Sequence, residues 1–374
     1  MKLKSRKIRI YPNLQQKQLF KQWFGISRKF YNEAVNHYND KDKTTINWME
    51  VAKQLTHSLT EDYIKSVPYQ IKKIAVKDCY QSYLTNCRKT KKSKIPFKLK
   101  YRTRKSPDQS CYIPKSALKE NGIYYKISGK LKYSEKEWLN SEWGDCRLIK
   151  EYDRWYIVIP IKVNSNKLSI SENQWNGDVV AIDPGIRSFL TIFSENGHYG
   201  QIGEGSFNKI LNLQIKIDKL ISLKERLKDK NKKRCIKRSI GRIRHKIRDL
   251  VDELHWKSIN YLVRNYNVII LPSFEVSDMI KKGHRKIRKS VVRSMLSYRF
   301  YEFGKRLEGK CKEYGVKIIR SNESYTSKTN SFNGEIMSIG SREWFKYDGV
   351  KVNRDINGAR NILLRAMRDG SVNG

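Results

Sequence analysis

The sequence predicts an α/β protein that also contains a small β-barrel. In the C-terminal half, short apolar runs alternate with long helical patterns, which is typical of an α/β core. Between residues 111 and 163, the segments "GIYYKI", "LKYS" and "CRLIKEYDRWYIVIPIKV" favour strands. Basic and apolar residues also alternate from Leu3 to Tyr11, which indicates an opening strand. We expect this strand to join the later ones and complete the barrel.

The net charge points to a polyanionic partner. The chain has 374 residues, and 78 Lys and Arg against 37 Asp and Glu give a net charge of +41. This excess is far above what solubility requires, and nucleic acid is the obvious polyanion. No apolar run reaches the length of a membrane span, and the N-terminus lacks the apolar core of a signal peptide. We therefore expect an intracellular protein without a membrane partner.

The cysteines and histidines argue against a zinc site. The six cysteines contain no C-x2-C pair, and the six histidines contain no H-x3-H pair. Pairs of this kind are the usual ligands of structural zinc. We expect buried or incidental thiols instead.

A helical module is predicted after the opening strand. Pro12 ends the strand, and Asn13 is suited to cap a helix. Large apolar residues then recur at three- and four-residue spacing and form a stripe for packing. The stripe consists of Leu19, Trp23, Ile26, Phe30, Ala34 and Tyr38. Pro68 is suited to open a second helix.

A strongly basic segment, residues 88–105, follows the second helix. It reads "RKTKKSKIPFKLKYRTRK", with aromatic residues between the cations. Such a run is either a solvated face or a surface that contacts phosphates, and the large net charge favours the second reading. The predicted nucleic-acid-binding residues are Lys89, Lys91, Lys92, Lys94, Lys98, Lys100, Arg102 and Arg104.

The C-terminal half follows a polar linker. The run "DVVAIDPGIRSFLTIFSENGHYG" predicts a buried strand, a Pro-Gly turn and a second strand that ends in a hairpin signal at Asn196 and Gly197. Two basic helices with cationic outer faces are expected at about residues 207–229 and 231–265. The strands "NVIIL" and "VKIIRS" flank a helix that ends near Tyr314, and "RDINGARNILLRAM" starts the final helix.

Two acids of this half have the placement of metal ligands. Asp183 ends an apolar strand, and Asp355 lies at the start of the last helix. A turn-forming role for Asp183 and a capping role for Asp355 are the alternatives. With a third acid, the two would hold Mg²⁺ or Mn²⁺ ions roughly 4 Å apart for phosphodiester hydrolysis.

The segments "AIDPGIRSFLTIFSENG", "VIILPSF", "NESYTSKT" and "RDINGARNILL" occur in this order. They resemble the RuvC-like nuclease segments of TnpB and of its eukaryotic and viral relatives, called Fanzor. The N-terminal "IRIYPNLQQKQLFKQWFGISRKFYNEAV" is similar to the opening strand and first recognition helix of that family. The resemblance implies an RNA-guided DNA endonuclease of a transposable element, with Mg²⁺ or Mn²⁺, a guide RNA and a double-stranded DNA target.

The same resemblance implies a domain arrangement. Residues 1–12 and 106–165 would form a wedge-like β-barrel, and residues 13–105 a helical recognition lobe with a basic loop. A linker at 166–177 would lead to an RNase H-like (RuvC) nuclease domain at 178–374.

Position by position, Asp183 matches the first catalytic aspartate of the family and Asp355 the last. Most members carry the middle acid where this chain has Pro272, with Glu275 three residues later. A subset supplies it just before "YTSKT", where this chain has Glu323. We predict Glu323, with Glu275 as the alternative. We expect the strand "VKIIRS" to neighbour the Asp183 strand and to deliver Glu323 to the same cleft.

The family commonly has a four-cysteine zinc ribbon, which corresponds to the loop at residues 324–350. The four positions hold Asn330, Asn333, Phe345 and Asp348, which are poor zinc ligands. We therefore predict no zinc, and a loop held by apolar packing. The expected apolar cluster consists of Ile336, Ile339, Trp344, Phe345 and Tyr347.

Two other functions remain as alternatives to the endonuclease. One is a nuclease-inactive RNA- and DNA-binding accessory protein or repressor, and the other is a transposase. The presence of the acids favours the enzyme. We expect the nucleus as its location in a eukaryotic host, and the cytoplasm otherwise.

Overall fold

The computed structural model describes residues 2–40, 46–93, 96–163, 179–272, 288–321, 328–336 and 342–369. Two compact units are present, Met1–Ser165 and Asn166–Gly374. The expected linker at 166–177 lies outside the described residues. Among the described helices, none is long and apolar enough to cross a membrane.

The first unit contains helices and an antiparallel sheet. Its helices are α1 (Leu14–Asn39), α2 (Trp48–Ser58), α3 (Asp62–Lys65), α4 (Tyr69–Ser93) and α5 (Tyr125–Ser128). Its strands are β1 (Lys2–Tyr11), β2 (Asp108–Ile113), β3 (Leu118–Lys119), β4 (Gly122–Ile123), β5 (Lys132–Tyr133), β6 (Cys146–Glu151) and β7 (Arg154–Val163). The strand predicted at "GIYYKI" is wrong beyond Ile123. Tyr124 adopts a left-handed conformation with φ of 48°, which ends the strand and starts α5.

The opening strand joins the later strands, as predicted. The five-stranded sheet has the order β2-β6-β7-β1-β5. β1 pairs with β7 from Lys2 opposite Val163 to Ile10 opposite Trp155. The helices α1 to α4 are therefore an insertion between two strands of one sheet.

Helix α1 packs on this sheet. Asn13 and Gln16 form a capping box, in which each side chain accepts a hydrogen bond from the backbone N–H of the other. The predicted stripe is buried at its centre, where Trp23 and Phe30 are fully enclosed. Phe24 stacks on Trp155 of β7, with ring centroids 5.7 Å apart. Aromatic packing thus joins the helical module to the strands.

The second unit is a mixed α/β structure. Its helices are α6 (Ser206–Arg226), α7 (Lys230–Asn265), α8 (Lys289–Tyr298), α9 (Phe300–Tyr314) and α10 (Arg354–Arg368). Its strands are β8 (Val179–Pro184), β9 (Leu190–Ser194), β10 (Tyr199–Ile202), β11 (Val268–Pro272), β12 (Lys317–Ser321), β13 (Trp344–Tyr347) and β14 (Val350–Asn353). The strands and helices predicted for this half are confirmed, although α8 and α9 are separated at Arg299, which is left-handed with φ of 51°.

The sheet of this unit has the order β10-β9-β8-β11-β12. β8, β9 and β10 pair antiparallel, and β8, β11 and β12 run parallel. Both faces of β8 are buried: Val180 and Ile182 pack in the cluster that contains α7 and α9, and Val179 and Ala181 pack against α10. Because side chains alternate along a strand, Asp183 belongs to the α10 face.

Candidate active site

Asp183 is held at a tight turn between β8 and β9. The backbone N–H of Gly185 donates to the carbonyl oxygen of Phe189 at 3.2 Å. A Cβ atom at Gly185 would lie 2.9 Å from the carbonyl oxygen of Ser188, so the turn requires glycine. The chain therefore reverses direction directly after the "DPG" sequence, and Asp183 lies at the carboxyl end of β8.

The buried side chain of Phe189 anchors this turn to the core. Phe189 is fully buried and stacks on Phe300 and on His255, with ring centroids 5.4 Å and 5.3 Å apart. Burial lowers the pKa of His255 to about 4, so this imidazole is neutral at pH 7. Its Nε2 atom lies 2.8 Å from the carbonyl oxygen of Tyr298 and donates to it. The turn after Asp183 thus rests on packed core.

An ionic network continues beside His255. Asp252 accepts hydrogen bonds from Arg299 at 2.6 Å and from Arg306 at 2.7 Å. Burial alone would raise the pKa of Asp252, but these two hydrogen bonds outweigh it and lower the pKa below its ordinary value. Arg306 also lies 3.2 Å from Nδ1 of His255. The network fixes α9 against α7.

Asp355 lies in the first turn of α10 and is not the helix cap. The side chain of Asn353 accepts from the backbone N–H groups of Asp355 and Ile356, at 2.9 Å and 3.2 Å. The capping alternative for Asp355 is therefore wrong, because Asn353 fills that role. The Asp355 side chain is 26% exposed and remains available for other contacts.

Two contacts bring Asp183 and Asp355 to one place. The Cβ position of Gly358, one helical turn after Asp355, lies 2.7 Å from Oδ2 of Asp183. From the other side, Nη1 of Arg187 lies 3.9 Å from Oδ2 of Asp355. Residues three apart on a helix share a face, so both aspartates border the same side of α10.

The expected neighbour relationship of the "VKIIRS" strand is wrong. β11 lies between β8 and β12, so β12 is two strand spacings, roughly 10 Å, from the Asp183 strand. β8, β11 and β12 are parallel, and continuing their register places Asp183, Pro272 and Ser321 at one level. Ligand sites of open α/β sheets lie at this carboxyl edge.

Both candidate third acids, Glu323 and Glu275, lie outside the described residues. Within the described ranges, no group of three or more His, Cys, Asp or Glu side chains is placed to hold a metal ion. Asp183 and Asp355 are the predicted ligands that the structure does bring together. Their oxygen donors are of the type that Mg²⁺ and Mn²⁺ prefer.

Two asparagines of α10 anchor the loop beside the site. Asn357 and Asn361 both donate to the carbonyl oxygen of Thr329, at 2.8 Å and 2.5 Å. Oδ1 of Asn357 also accepts from the backbone N–H of Ser331 at 2.9 Å. The sequence analysis missed these residues. Asparagine is disfavoured inside helices, so two of them one turn apart in "NGARN" were an available signal.

Three of the four positions that replace zinc ligands act as turn residues. Asn330 is fully buried, and its Oδ1 accepts from the backbone N–H of Phe332 at 3.1 Å. Asn333 likewise accepts from the backbone N–H of Glu335 at 3.1 Å. Phe345 lies in β13, and Asp348 forms the turn to β14 with φ of 46°. Local amide hydrogen bonds thus shape the first half of this loop.

The apolar cluster predicted for this loop is wrong for Ile336 and Trp344, whereas the predicted member Tyr347 does pack against an apolar side chain. Ile336 is 69% exposed and Trp344 is 42% exposed. Phe332 instead stacks on Tyr347, with ring centroids 5.4 Å apart and an interplanar angle of 15°. The guanidinium of Arg360 lies 4.5 Å over the Phe332 ring, so α10 also holds this stack. Ile339 lies outside the described residues.

The basic segment of the first unit is partly helical, since α4 extends to Ser93. The exposed cations among its predicted binding residues are Lys89, Lys91, Lys98, Lys100 and Arg104. The side chain of Lys92 and all of Lys94 lie outside the described parts. That these exposed cations contact phosphates stays a prediction.

Arg102 differs from the other cations of the segment. Its guanidinium lies 3.7 Å from the centroid of Tyr31 and 3.5 Å from a carboxylate oxygen of Asp78. Asn32 of α1 exchanges two hydrogen bonds with the backbone of Arg102, and Asn39 does so with Leu99. The extended chain is thus tied to α1, a feature that the sequence analysis missed. Arg102 has a structural role.

The cationic outer face predicted for α7 is confirmed. Ile240 packs inward, and Asp229 caps the helix by accepting from two backbone N–H groups. The exposed cations of the first half of α7 are Lys230, Lys232, Arg234, Lys237, Arg238, Arg242, Arg244 and Lys246. These cations give this face of α7 a dense positive charge.

Two family models match the chain. The Cas12f1-like TNB domain matches residues 300–362, which include Asp355. A helix-turn-helix domain matches residues 1–45. The described part of that second range, residues 2–40, consists of β1 and the single long helix α1.

Two relatives are similar to this chain over nearly its whole length. TnpB-like protein L770 of Acanthamoeba polyphaga mimivirus is 26% identical, over 96% of this chain and 73% of that protein. A Streptomyces pristinaespiralis protein named "Putative RNA-guided DNA endonuclease" is 22% identical, over 96% of this chain and 89% of its own length.

Among solved structures, Cas12f1 in its complex with sgRNA and target DNA matches with a TM-score of 0.52. The match covers 96% of this chain and 98% of that one at 12% identity, which shows a shared fold. The chain is thus a mixed α/β protein of the Cas12f1-like fold class. By sequence it is a relative of the TnpB-like proteins, as the motifs indicated.

Proposed function

We propose that the chain is an RNA-guided DNA endonuclease of a transposable element. The observation that carries this proposal is the convergence of Asp183 and Asp355 on one side of α10, at the carboxyl edge of the sheet. Both acids belong to the segments that resemble TnpB. The similarity of nearly the whole chain to a TnpB-like protein and to the Streptomyces protein supports guided cleavage as the activity.

In this proposal the two units have separate tasks. The antiparallel sheet of the first unit is the wedge barrel, and α1 to α4 are the recognition lobe. The second unit is the RNase H-like (RuvC) nuclease domain, with residues 324–350 in place of a zinc ribbon. The shared fold with Cas12f1 supports this assignment.

The donor set and the space at the site fit divalent cations. Asp183 and Asp355 supply carboxylate oxygens only, which suits Mg²⁺ or Mn²⁺. Gly358 has no side chain, and any side chain at this position would collide with the Asp183 carboxylate. When bound, a metal pair would activate water and stabilise the leaving oxygen of the DNA phosphodiester.

The residues of the chain position the reactants around that pair. Asp183 and Asp355 would hold the metal ions, and Asn353 keeps the first turn of α10 in register by capping it. Asn357 and Asn361 fix the loop that follows Glu323 in the chain.

Glu323 is the third ligand in this proposal, because it precedes "YTSKT" as in the family subset it resembles. Its strand β12 runs parallel to β8 and ends at the same level. Glu275 stays the alternative, and it follows β11, which is the direct neighbour of β8. Mutation of each acid decides between them.

Nucleic acid is held through its backbone in this proposal. The exposed lysines of residues 88–105 and the cationic face of α7 contact phosphates without reading sequence. Base pairing between the guide RNA and the target DNA supplies the sequence choice. The phosphates of the bound RNA and DNA thereby neutralise the excess positive charge of the chain, which is +41.

The first experiment is to express the chain with its native flanking DNA, purify it at high salt and sequence the RNA that remains bound. One discrete RNA that ends beside the element is the expected result. Heterogeneous RNA would overturn guided recognition. The RNA is then reprogrammed, and cleavage of a matching DNA is measured with Mg²⁺.

Four variants test the site in that assay, namely Asp183→Ala, Asp355→Ala, Glu323→Ala and Glu275→Ala. We expect the first three to bind RNA normally and to lose cleavage. Asp218→Asn is the matched control, since Asp218 pairs with Arg293 on the surface of the same unit. Guided binding without cleavage by the wild type would identify the nuclease-inactive alternative.

A further inference from the structure

A pocket of about 460 Å³ lies in the first unit, next to the end of β2. Its lining includes Lys115, Leu118, Lys119, Trp143 and Asp145. The volume falls within the roughly 300–1,000 Å³ of pockets that bind small ligands. The pocket thus combines an aromatic ring, a carboxylate and two lysines, and the proposed cleavage reaction uses none of these groups.

Trp143 is held in place by the sheet and by a second tryptophan. Its backbone forms an antiparallel bridge with Ile161 of β7, and the N–H of Gly144 donates to the carbonyl oxygen of Pro160 at 2.9 Å. The Trp143 ring packs edge to face with the fully buried Trp138, with ring centroids 5.2 Å apart. A ring that is already fixed loses little freedom when a ligand stacks on it.

The charge beside this ring suits a phosphate. The side chains of Lys115 and Lys119 are exposed, and Nζ of Lys115 lies 5.5 Å from the centroid of Trp143. Lys115 is also attracted by Glu142, whose carboxylate is bound by Lys162 at 2.6 Å. Both contacts of the Lys115 ammonium are at the surface and therefore weak. A base that stacks on Trp143 can replace them with its own phosphate, as in single-stranded nucleic-acid sites.

The carboxylate of the pocket is fixed by two donors. Oδ1 of Asp145 accepts from the backbone N–H of Lys115 at 2.9 Å, and the hydroxyl of Tyr112 also donates to this carboxylate. A carboxylate has about four acceptor sites, so Asp145 can accept two further hydrogen bonds. Guanine presents two adjacent donors, N1–H and N2–H, on its Watson–Crick edge. The other RNA bases have no such pair, so the pocket favours guanine.

We propose that this pocket binds one unpaired guanine of the bound RNA. Trp143 stacks on the base, Asp145 accepts from N1–H and N2–H, and Lys115 and Lys119 contact the neighbouring phosphates. RNA is the occupant because proteins read RNA sequence mostly at unpaired bases, whereas the bases of duplex DNA are paired and stacked. The inference rests on the proposed function, which requires a bound RNA, and adds a base-specific contact to it.

The test compares bases within one short RNA. The full chain, freed of nucleic acid at high salt, is titrated with labelled five-nucleotide probes of uridines whose central base is guanine, hypoxanthine or adenine. Fluorescence anisotropy measures the affinity at one fixed salt concentration. Because the phosphates are the same in all probes, a difference between them reports the base alone.

Two variants remove the proposed contacts, namely Trp143→Ala and Asp145→Asn. The second keeps the shape of the side chain, so it tests the pocket even if the first destabilises the fold. Trp48→Ala is the control for the ring, since lysines also border Trp48. Glu61→Gln is the control for the acid, since Glu61 pairs with Lys29 at the surface of the same unit.

We expect the wild type to bind the guanine probe roughly fivefold to 100-fold more tightly than the adenine probe, as bidentate base contacts do. Hypoxanthine lacks the N2 amine and should bind with intermediate affinity. Asp145→Asn should abolish the preference for guanine. Trp143→Ala should weaken binding of the guanine probe at least roughly fivefold. Both control variants should keep the preference.

Equal binding of guanine and adenine by the wild type, or a full preference in Asp145→Asn, would overturn the inference. Displacement of the guanine probe by an equal concentration of GTP, or a larger preference in the matching DNA probe, would overturn the assignment to RNA. The proposed function is tested separately, by sequencing the RNA that the wild type retains and by guided cleavage. Either conclusion can therefore fail without the other.

Discussion

The Asp183 carboxylate lies against the backbone of Gly358, whose Cβ position is 2.7 Å from Oδ2 of Asp183. A Cβ atom at this distance is in collision, so the carboxylate occupies space that only glycine leaves open. Gly358 is a helix residue, and helices disfavour glycine by about 1 kcal/mol relative to alanine. The glycine thus costs helix stability at the position where Asp183 of β8 packs against α10, one turn after Asp355.

Gly358→Ala should therefore separate activity from stability. The new methyl group pushes the Asp183 carboxylate away, and we expect guided cleavage to fall by at least roughly tenfold, since small displacements of catalytic groups are costly. The melting temperature should stay level or rise, because alanine favours the helix. Gly309→Ala in α9 is the control, since nothing lies within 4 Å of its Cβ position. Unchanged cleavage in Gly358→Ala would argue against a catalytic Asp183.

The loop at residues 324–350 should hold without zinc. We expect no stoichiometric zinc by elemental analysis and no change of melting temperature with a strong zinc chelator. Phe332→Ala should instead cost about 1 to 2 kcal/mol in the free energy of unfolding, because it removes the stack on Tyr347 and the contact with Arg360. Tyr301→Ala, at a side chain that is 80% exposed, is the control. A chelator-sensitive melting temperature would contradict the prediction.

The stability of the second unit should depend on pH through His255. Burial lowers its pKa from 6.5 to about 4, so the folded state favours the neutral imidazole. The resulting stabilisation is fully present above pH 6.5 and is lost as the pH falls towards 4. At about 1.4 kcal/mol per pKa unit, the full loss is roughly 3.5 kcal/mol.

Urea unfolding at pH 7.5 and pH 5 measures the part of this loss that occurs above pH 5, roughly 2 kcal/mol. We expect His255→Gln to reduce the difference between the two pH values, because glutamine does not titrate. His57→Gln, at an exposed position in α2, should leave it unchanged. An equal pH dependence in His255→Gln and the wild type would show that other groups cause it.

The basic segment of the first unit should contain cations of two kinds. Arg102→Ala should lower the melting temperature, because Arg102 packs on Tyr31 and pairs with Asp78. Lys98→Ala should leave the melting temperature unchanged and weaken nucleic-acid binding, with the slope of log affinity against log salt smaller by about 1. Lys98 and Arg102 behaving alike in both assays would contradict this division.

Local sequence patterns predicted most elements because each rests on nearby residues. The cap at Asn13, the turn at Asn196 and Gly197, and the buried Trp23 and Phe30 of the α1 stripe all follow from short-range rules. The strand at "GIYYKI" failed because Tyr124 takes a left-handed conformation that its aromatic neighbours do not signal.

The sequence by itself determined the charge, the order of the motifs and the two aspartates that we propose as metal ligands. Tertiary structure alone decided which strand borders β8, because strand order depends on how distant segments pair and not on local pattern. It also decided that Gly358 receives the Asp183 carboxylate, and that Asn357 and Arg360 hold the loop that lacks cysteines. These contacts join residues far apart in the chain, and only folding brings them within bonding distance.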